Sequence, residues 1–163
     1  MQLNIIETNG YDDKWIKQRL TGVVDRHKLT DVWKESGITK NYEYGILTNE
    51  IYQEWSGMKA SQYKKFKGLR KESLRDNMTD IEVTLADLGE IATRELVKEH
   101  KPYGLKENRE MAKRGGRIAK NTRNNLEKEL GKTVISKENA LNYKYIDSKK
   151  LLDDKKNGKK NNR

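Results

Sequence analysis

The feature that most constrains this chain is an apolar repeat between Thr79 and Pro102. Its members recur at steps of three and four residues, the period of an α-helix that buries one face: Ile81, Leu85, Leu88, Ala92 and Leu96. Thr79 can cap the first turn, and Pro102 ends the repeat because it cannot continue a helix. We predict that this helix is the main scaffold of the core. Gly89 inside it indicates that another backbone packs closely there, since glycine otherwise destabilises a helix.

The core must be small, because only 33% of the 163 residues are hydrophobic and 37% are charged. A chain of this length has room for one ordinary domain. We predict a mainly α fold, a small helical domain over residues 11–147 with at most two or three short strands. Residues 1–10 would be a lead-in, and residues 148–163 a disordered basic tail, since they are almost free of apolar side chains.

The first part of the domain is predicted to contain two helices. One begins at Asp12 and ends at Gly22, and the next is capped by Thr30 and ends at Gly37. Their tryptophans lie among aliphatic residues at helical spacing, which favours a place in the core over base stacking. The weak alternation of residues 42–47 then predicts a strand.

A second helical region, residues 103–131, has a narrower apolar seam. Its members are spaced by seven residues: Leu105, Ala112, Ala119 and Leu126. Gly115 and Gly116 interrupt it, so the helix is expected either to bend there or to divide in two. Residues 132–135 could form a short strand, and Ser136 could cap a last helix.

The centre of the chain has the outline of a helix-turn-helix. Thr48 would open a first helix, Gly57 would supply the turn, and Ser61 would cap a second helix. The apolar side of the second helix would comprise Tyr63, Phe66 and Leu69. Gln53 departs from the pattern, because a helix-turn-helix buries a small residue at that position.

The positive charge is concentrated in three blocks. Residues 59–76, 106–123 and 149–163 each carry a net charge of +5, which leaves −5 for the rest of a chain whose total is +10. Binding to a phosphate backbone requires such segregation, so nucleic acid, and DNA first, is the leading partner class. An acidic protein surface would explain the same clustering.

These blocks supply the candidate nucleic-acid contacts. The cations would contact phosphates, while Gln62 and Tyr63 would probe bases or stack on them. The arginines and Lys120 of the second block would extend the track, and the tail would add nonspecific attraction. The candidates are Lys59, Gln62, Tyr63, Lys64, Lys65, Lys67, Arg70, Lys71, Arg114, Arg117, Lys120 and Arg123.

The sequence shows no constellation of catalytic or metal-binding residues. There is no cysteine, and His27 and His100, the only histidines, are far apart and lack neighbouring ligands. We therefore expect no cofactor, no metal and no enzymatic activity. Neither a signal peptide nor an apolar run long enough to cross a bilayer is present, which predicts a cytoplasmic protein that does not engage a membrane.

Several stretches resemble a known family. The chain is similar to the bacterial and phage DNA-damage-inducible protein D family, and to the C-terminal part of BRO-type phage antirepressors. The similar stretches are WIKQRLTGVVDRHKLTDVWKESGI, EYGILTNEIYQEWSGM, KGLRKESLRDNMTD and GGRIAKNTRNNLEKELGKTVISKEN. The likeness covers residues 12–139, and KGLRKESLRDNMTD is its most specific part. It implies a regulator of phage, prophage or SOS-response type acting around DNA in a bacterial host, whose damage-inducible relatives are associated with antagonising recombinase filaments. It carries over no catalytic residue.

Two functions follow from this sequence. The first is a non-enzymatic nucleic-acid-binding regulator. The alternative is a phage-encoded interaction module that inhibits a host nucleic-acid-processing or defence complex, with the Leu105–Leu126 seam holding a partner helix or a second copy of the chain as a homodimer. The antirepressors carry an extra N-terminal domain that we do not find here. If that domain reads DNA, the part present here would serve partner binding or oligomerisation.

Overall fold

Five α-helices and one short 3-10 helix form the part of the chain that the structure describes. The structure is a computed structural model, and it describes residues 13–140 apart from the side chain of Trp15. The helices are α1 (Asp13–Glu35), α2 (Asn41–Ser56), α3 (Ala60–Phe66), α4 (Asp80–His100) and α5 (Gly104–Leu130), with the 3-10 helix Arg75–Asn77 before α4. Residues 13–140 contain no strand, so the predicted mainly helical fold is confirmed. Residues 1–10, residues 148–163 and most of the last predicted helix lie outside the described part.

Helix α4 is the scaffold of the bundle, as its apolar repeat predicts. It packs against α1, α2 and α5. The predicted cap is confirmed, because the Thr79 hydroxyl accepts a hydrogen bond from the backbone N–H of Glu82 (3.3 Å). The Glu82 carboxylate in turn accepts one from the N–H of Thr79 (3.1 Å), which completes a capping box. The helix ends at His100, two residues before Pro102, as predicted.

The glycine pair of α5 does not break the helix, which runs straight through it. A Cβ on Gly115 would lie 2.7 Å from the backbone nitrogen of Thr93 on α4, and one on Gly116 would lie 3.0 Å from the carbonyl oxygen of Ile51 on α2. The pair therefore lets α5 approach two other backbones at once. A Cβ on Gly89 would meet side chains, the nearest being Ile51 at 2.9 Å, so the close backbone approach occurs at the α5 glycines instead.

The apolar seam of α5 faces the interior of the bundle. Ala112 and Ala119 are fully buried, and Leu105 and Leu126 pack against the core. Helix α5 lies along α4 and α2, so these two helices cover the seam. The proposal that the seam holds a partner helix or a second copy is therefore wrong for the described structure.

Helix α1 is one continuous element where two were predicted. A Cβ on Gly22 would lie 3.0 Å from the Asp87 carboxylate of α4, so Gly22 is a packing position and does not end the helix. The hydroxyl of Thr30 donates to the carbonyl of Arg26 one turn earlier, as a residue inside a helix does, and caps nothing. Gly37 follows the end of α1 with a φ of +87°, which confirms its predicted role.

Both strands predicted within the described residues are wrong. Residues 42–47 form the first half of α2, where Tyr44, Leu47 and Ile51 pack inward at helical spacing. Thr48 lies inside this helix, with its hydroxyl on the carbonyl of Tyr44 (2.8 Å), and so it does not open it. Residues 132–135 are irregular, although Val134 is buried.

Buried charges attach α1 and the 3-10 helix to α4, a feature that the apolar pattern does not reveal. The carboxylate of Glu90, 2% exposed, binds the guanidinium groups of both Arg26 and Arg75, each at 2.6 Å. Asp87 also binds Arg75, and Asp25 binds Arg94 at 3.1 Å. Each of these carboxylates is matched by a cation, which offsets part of the cost of burying charge in this interface.

Candidate nucleic-acid interface

Helix α3 is attached to the bundle by Tyr63. This residue is fully buried, with its ring 6.0 Å from that of Trp55 and 6.4 Å from that of Tyr52 between centroids. Its hydroxyl donates to the carboxylate of Glu82 on α4. Burial and the adjacent Glu82 charge raise the pKa of Tyr63 far above its ordinary value. The predicted role of Tyr63 as a base-stacking or base-probing residue is therefore wrong, because a ligand cannot reach the ring.

Lys67 is buried as well, at 2% exposure, although it was predicted to contact phosphate. Its ammonium group donates to the Glu82 carboxylate (2.8 Å) and to the backbone carbonyls of Ser136 (2.7 Å) and Glu138 (2.8 Å). It also lies 5.6 Å from the centre of the Tyr63 ring. An ammonium with these partners is satisfied inside the protein, so the assignment of Lys67 as a phosphate contact is wrong.

Residues 132–140 form a strap that lies against the C-terminal end of α3 and fixes it from outside. The strap begins where the N–H of Val134 donates to Glu127 of α5 (2.9 Å). The side-chain amide of Asn139 then donates to the carbonyl of Lys67 (2.7 Å), and the N–H of Ala140 donates to the side chain of Asn77 (2.9 Å). Together with the Lys67 bonds, these contacts hold α3 between α4 and the strap.

The outer side of α3 and the loop after it carry cations without carboxylate partners. Within residues 13–140, no ion pair involves any of the five cations Lys59, Lys64, Lys65, Arg70 and Lys71. All are exposed except Lys64, which is half-buried. We call these five residues the α3 basic surface. Five positive charges on one short segment create a local field that favours an anion.

One carboxylate lies in sequence beside this surface. Glu72 accepts a hydrogen bond from the backbone N–H of Arg70 (2.7 Å). Hydrogen bonds from the backbone N–H of Glu72 itself and from that of Arg70 lower the pKa of the Glu72 carboxyl group. Glu72 is therefore ionised at neutral pH and offsets one of the five positive charges.

The cations predicted on α5 are in a different state. Arg114 pairs with Glu110 (3.6 Å) and Arg117 with Glu54 (3.5 Å). Arg123 is half-buried, pairs with Glu127 at 3.2 Å and donates to the carbonyl of Trp55 at 3.0 Å. Ion pairs at a protein surface are weak, but each of these arginines has a local carboxylate that reduces its attraction for phosphate.

Lys120 is the predicted α5 contact that has no ion pair within the described range, and it is exposed. Gln62 is also exposed, as a base-probing residue must be. Its side-chain oxygen accepts the N–H of Lys59 (2.9 Å), which caps the start of α3. The cap predicted at Ser61 is therefore wrong: the N-cap is Lys59, two residues earlier, and Ser61 lies inside α3.

Sequence reasoning missed two residues beside the α3 basic surface. Phe66, which the apolar spacing assigned to the buried side of α3, is 36% exposed. Lys137 of the strap places its ammonium group 5.6 Å from the centre of the Phe66 ring. Tyr63 and Lys67, four residues apart, occupy the side that faces the bundle, so Phe66 is left at the surface. No sequence signal marks a lysine as buried, so the error could not have been avoided.

The helix pair α2–α3 retains part of the predicted outline. Gly57 has a φ of +80° and ends α2, so the predicted turn is confirmed at this residue. Gln53, where a helix-turn-helix buries a small residue, is exposed to solvent. The helix-turn-helix assignment stays a prediction.

Neither a metal site nor a membrane span is visible in the described part of the chain. Over residues 13–140, His, Asp and Glu side chains form no cluster suited to holding a metal ion. None of the helices there combines the length and apolar character needed to span a bilayer.

The fold and surface together define a small helical bundle that presents an unpaired basic segment. No protein-family model and no curated protein sequence matches this chain.

Proposed function

We propose that this chain is a non-enzymatic regulatory protein that binds nucleic acid, and DNA in particular, through the α3 basic surface. The observation that carries the proposal is the unpaired state of its five cations, while the arginines on α5 each have a carboxylate partner. Unpaired lysines and arginines gain most from a phosphate backbone, because binding releases condensed counterions without breaking an internal ion pair.

The anchoring of α3 supports the same function. Tyr63 and Lys67 fix the helix from the inside, and the strap fixes it from the outside. The backbone that carries the cations is therefore ordered before a ligand arrives, which reduces the entropy lost on binding. The burial of Lys67 thus contributes to binding by positioning its neighbours.

The regulatory part of the proposal depends on the resemblance to DNA-damage-inducible protein D and to phage antirepressors. The most specific stretch of that resemblance is residues 67–80, which includes Arg70 and Lys71 of the α3 basic surface and the buried Lys67. A damage-response or phage regulator that acts around DNA would need such a surface. The competing proposal, an inhibitory interaction module, loses the α5 seam as a docking site because the seam is buried. Its other predicted contact, the basic blocks against an acidic protein surface, is unaffected.

The test is a salt titration of binding with charge-reversed variants. The first variant combines Lys64→Glu, Lys65→Glu and Arg70→Glu. A matched control reverses three exposed lysines at the opposite end of the bundle, near the C-terminal ends of α1 and α4: Lys28, Lys34 and Lys101. Both variants have the same net charge, +4 in place of +10, so they differ only in where charge was lost.

Affinity for labelled DNA is measured by fluorescence anisotropy from about 50 to 200 mM salt. Loss of three phosphate contacts should make the slope of log K against log salt shallower by about 2.7 for duplex DNA, at roughly 0.9 per contact. The control should keep the wild-type slope. Equal losses in both variants, or a wild-type affinity that does not respond to salt, would refute the assignment of the α3 basic surface.

A further inference from the structure

An aromatic ring lies at the surface of α3. Phe66 is the last residue of the helix and the only phenylalanine of the chain. Tyr63, the aromatic residue expected to meet a ligand, is fully buried, whereas Phe66 is 36% exposed. The two aromatic residues of α3 therefore have the opposite placement to the one that the sequence predicted.

The surroundings of Phe66 distinguish it from an incidental exposed apolar residue. Lys59, Gln62 and Phe66 follow one another at steps of three and four, so they lie on one side of α3. From the strap, Lys137 adds an ammonium group 5.6 Å from the ring centre. Single exposed apolar residues are common on protein surfaces. Within residues 13–140 the large exposed apolar side chains are Val24, Tyr42, Phe66, Tyr103, Ile118 and Leu130. Of these, Phe66 alone lies on α3.

We propose that Phe66 is a stacking platform for an unpaired base, so that the α3 basic surface prefers single-stranded nucleic acid. This inference rests on the proposed function. Bases in a duplex are already stacked on each other and offer no face to a protein ring, whereas a base in a single strand has a free face. The base would stack on the Phe66 ring, while Lys137, which lies beside the ring, and Lys59, on the same side of α3, would contact the adjacent phosphates.

The size of the effect follows from general measurements. Stacking of one base on an aromatic side chain changes affinity by about 5- to 150-fold when the ring is removed. The contribution is selective, because a duplex offers no free base face to the Phe66 ring. Removal of the ring should therefore reduce single-strand binding and leave duplex binding nearly unchanged.

The experiment uses the full chain with Phe66→Ala, Phe66→Leu and Phe66→Trp. Phe66→Leu retains apolar bulk without a ring, which separates stacking from packing, and Phe66→Trp retains an aromatic face. The matched control is Tyr42→Ala, since Tyr42 is 60% exposed and lies under Lys40 at 5.7 Å, but at the start of α2. Affinity is measured for a mixed-sequence single strand and for the duplex of the same sequence, with thermal melting of each variant as a check of folding.

We expect Phe66→Ala and Phe66→Leu to lose about 5- to 150-fold on the single strand and less than about twofold on the duplex. Phe66→Trp and Tyr42→Ala should stay within about twofold of wild type on the single strand. Equal loss on both ligands, no loss on either, or a wild-type preference for duplex would overturn the inference. In each of these outcomes the salt dependence still tests the proposed function independently. Wild-type protein that binds neither ligand would overturn both proposals.

Discussion

Replacement of Lys67 by Met tests the central structural claim, that a lysine in the middle of the basic block is buried and stabilises the fold. In the structure the Lys67 ammonium group is buried and satisfies the Glu82 carboxylate and two carbonyls of the strap. Lys67→Met keeps the apolar stem but leaves the buried Glu82 carboxylate without its cation. The strap also loses two of the bonds that hold it to α3.

The expected loss is large. Removal of one partner of a buried ion pair costs about 3–5 kcal/mol, because the remaining charge is desolvated without compensation. The carbonyls of Ser136 and Glu138 add little, since these two residues are half-buried and exposed, and water can replace the ammonium. For a chain of this length, a loss of about 3–5 kcal/mol lowers the melting temperature by roughly 6–20 °C.

Thermal and urea unfolding followed by circular dichroism measures the change. Lys65→Met is the control, because Lys65 is an exposed lysine two residues before Lys67, and it should change the unfolding free energy by less than about 0.5 kcal/mol. The double variant Lys67→Met with Glu82→Gln should recover about 2 kcal/mol of the loss, since the orphaned charge is gone. A Lys67→Met protein within about 1 kcal/mol of wild type would refute the buried pair.

Two further predictions concern packing and pH. Gly115→Ala should cost about 1–3 kcal/mol in urea unfolding, because its Cβ would overlap Thr93. Gly45→Ala, which adds a Cβ with nothing within 4 Å of it inside α2, should instead stabilise the protein by about 0.5–1 kcal/mol. Similar values for the two would contradict the close approach of α5 and α4. The folded-state pKa of Tyr63 is raised, so this residue contributes stability that is fully present below about pH 10. Above that pH the tyrosine ionises in the unfolded chain but not in the folded one, and this stability is lost by about 1.4 kcal/mol per pH unit. Tyr63→Phe should remove this dependence in urea titrations between about pH 10 and 11, and an unchanged slope would contradict the buried phenol–Glu82 contact.

The candidate site was only partly predictable from sequence. The cations of residues 59–71 were identified by charge segregation, which can be read directly from the order of charged residues along the chain. Which of them reach solvent was not predictable, because Lys67 becomes internal only through Glu82, fifteen positions away, and through the strap, about seventy positions away. Phe66 was assigned to the core because apolar spacing cannot anticipate that a lysine occupies the buried side of the helix.

Local chemistry by itself determined where several helices begin and end. The capping box at Thr79, the turn at Gly57 and the stop before Pro102 depend on neighbouring residues, and they hold in the structure. Long-range packing decided the rest. Gly22, Gly115 and Gly116 have the residue type of a helix breaker, yet each allows another helix to approach, and only the folded bundle shows what lies against them. The physical reason is that a glycine or a charged side chain responds to whatever surrounds it, and those surroundings come from distant parts of the chain.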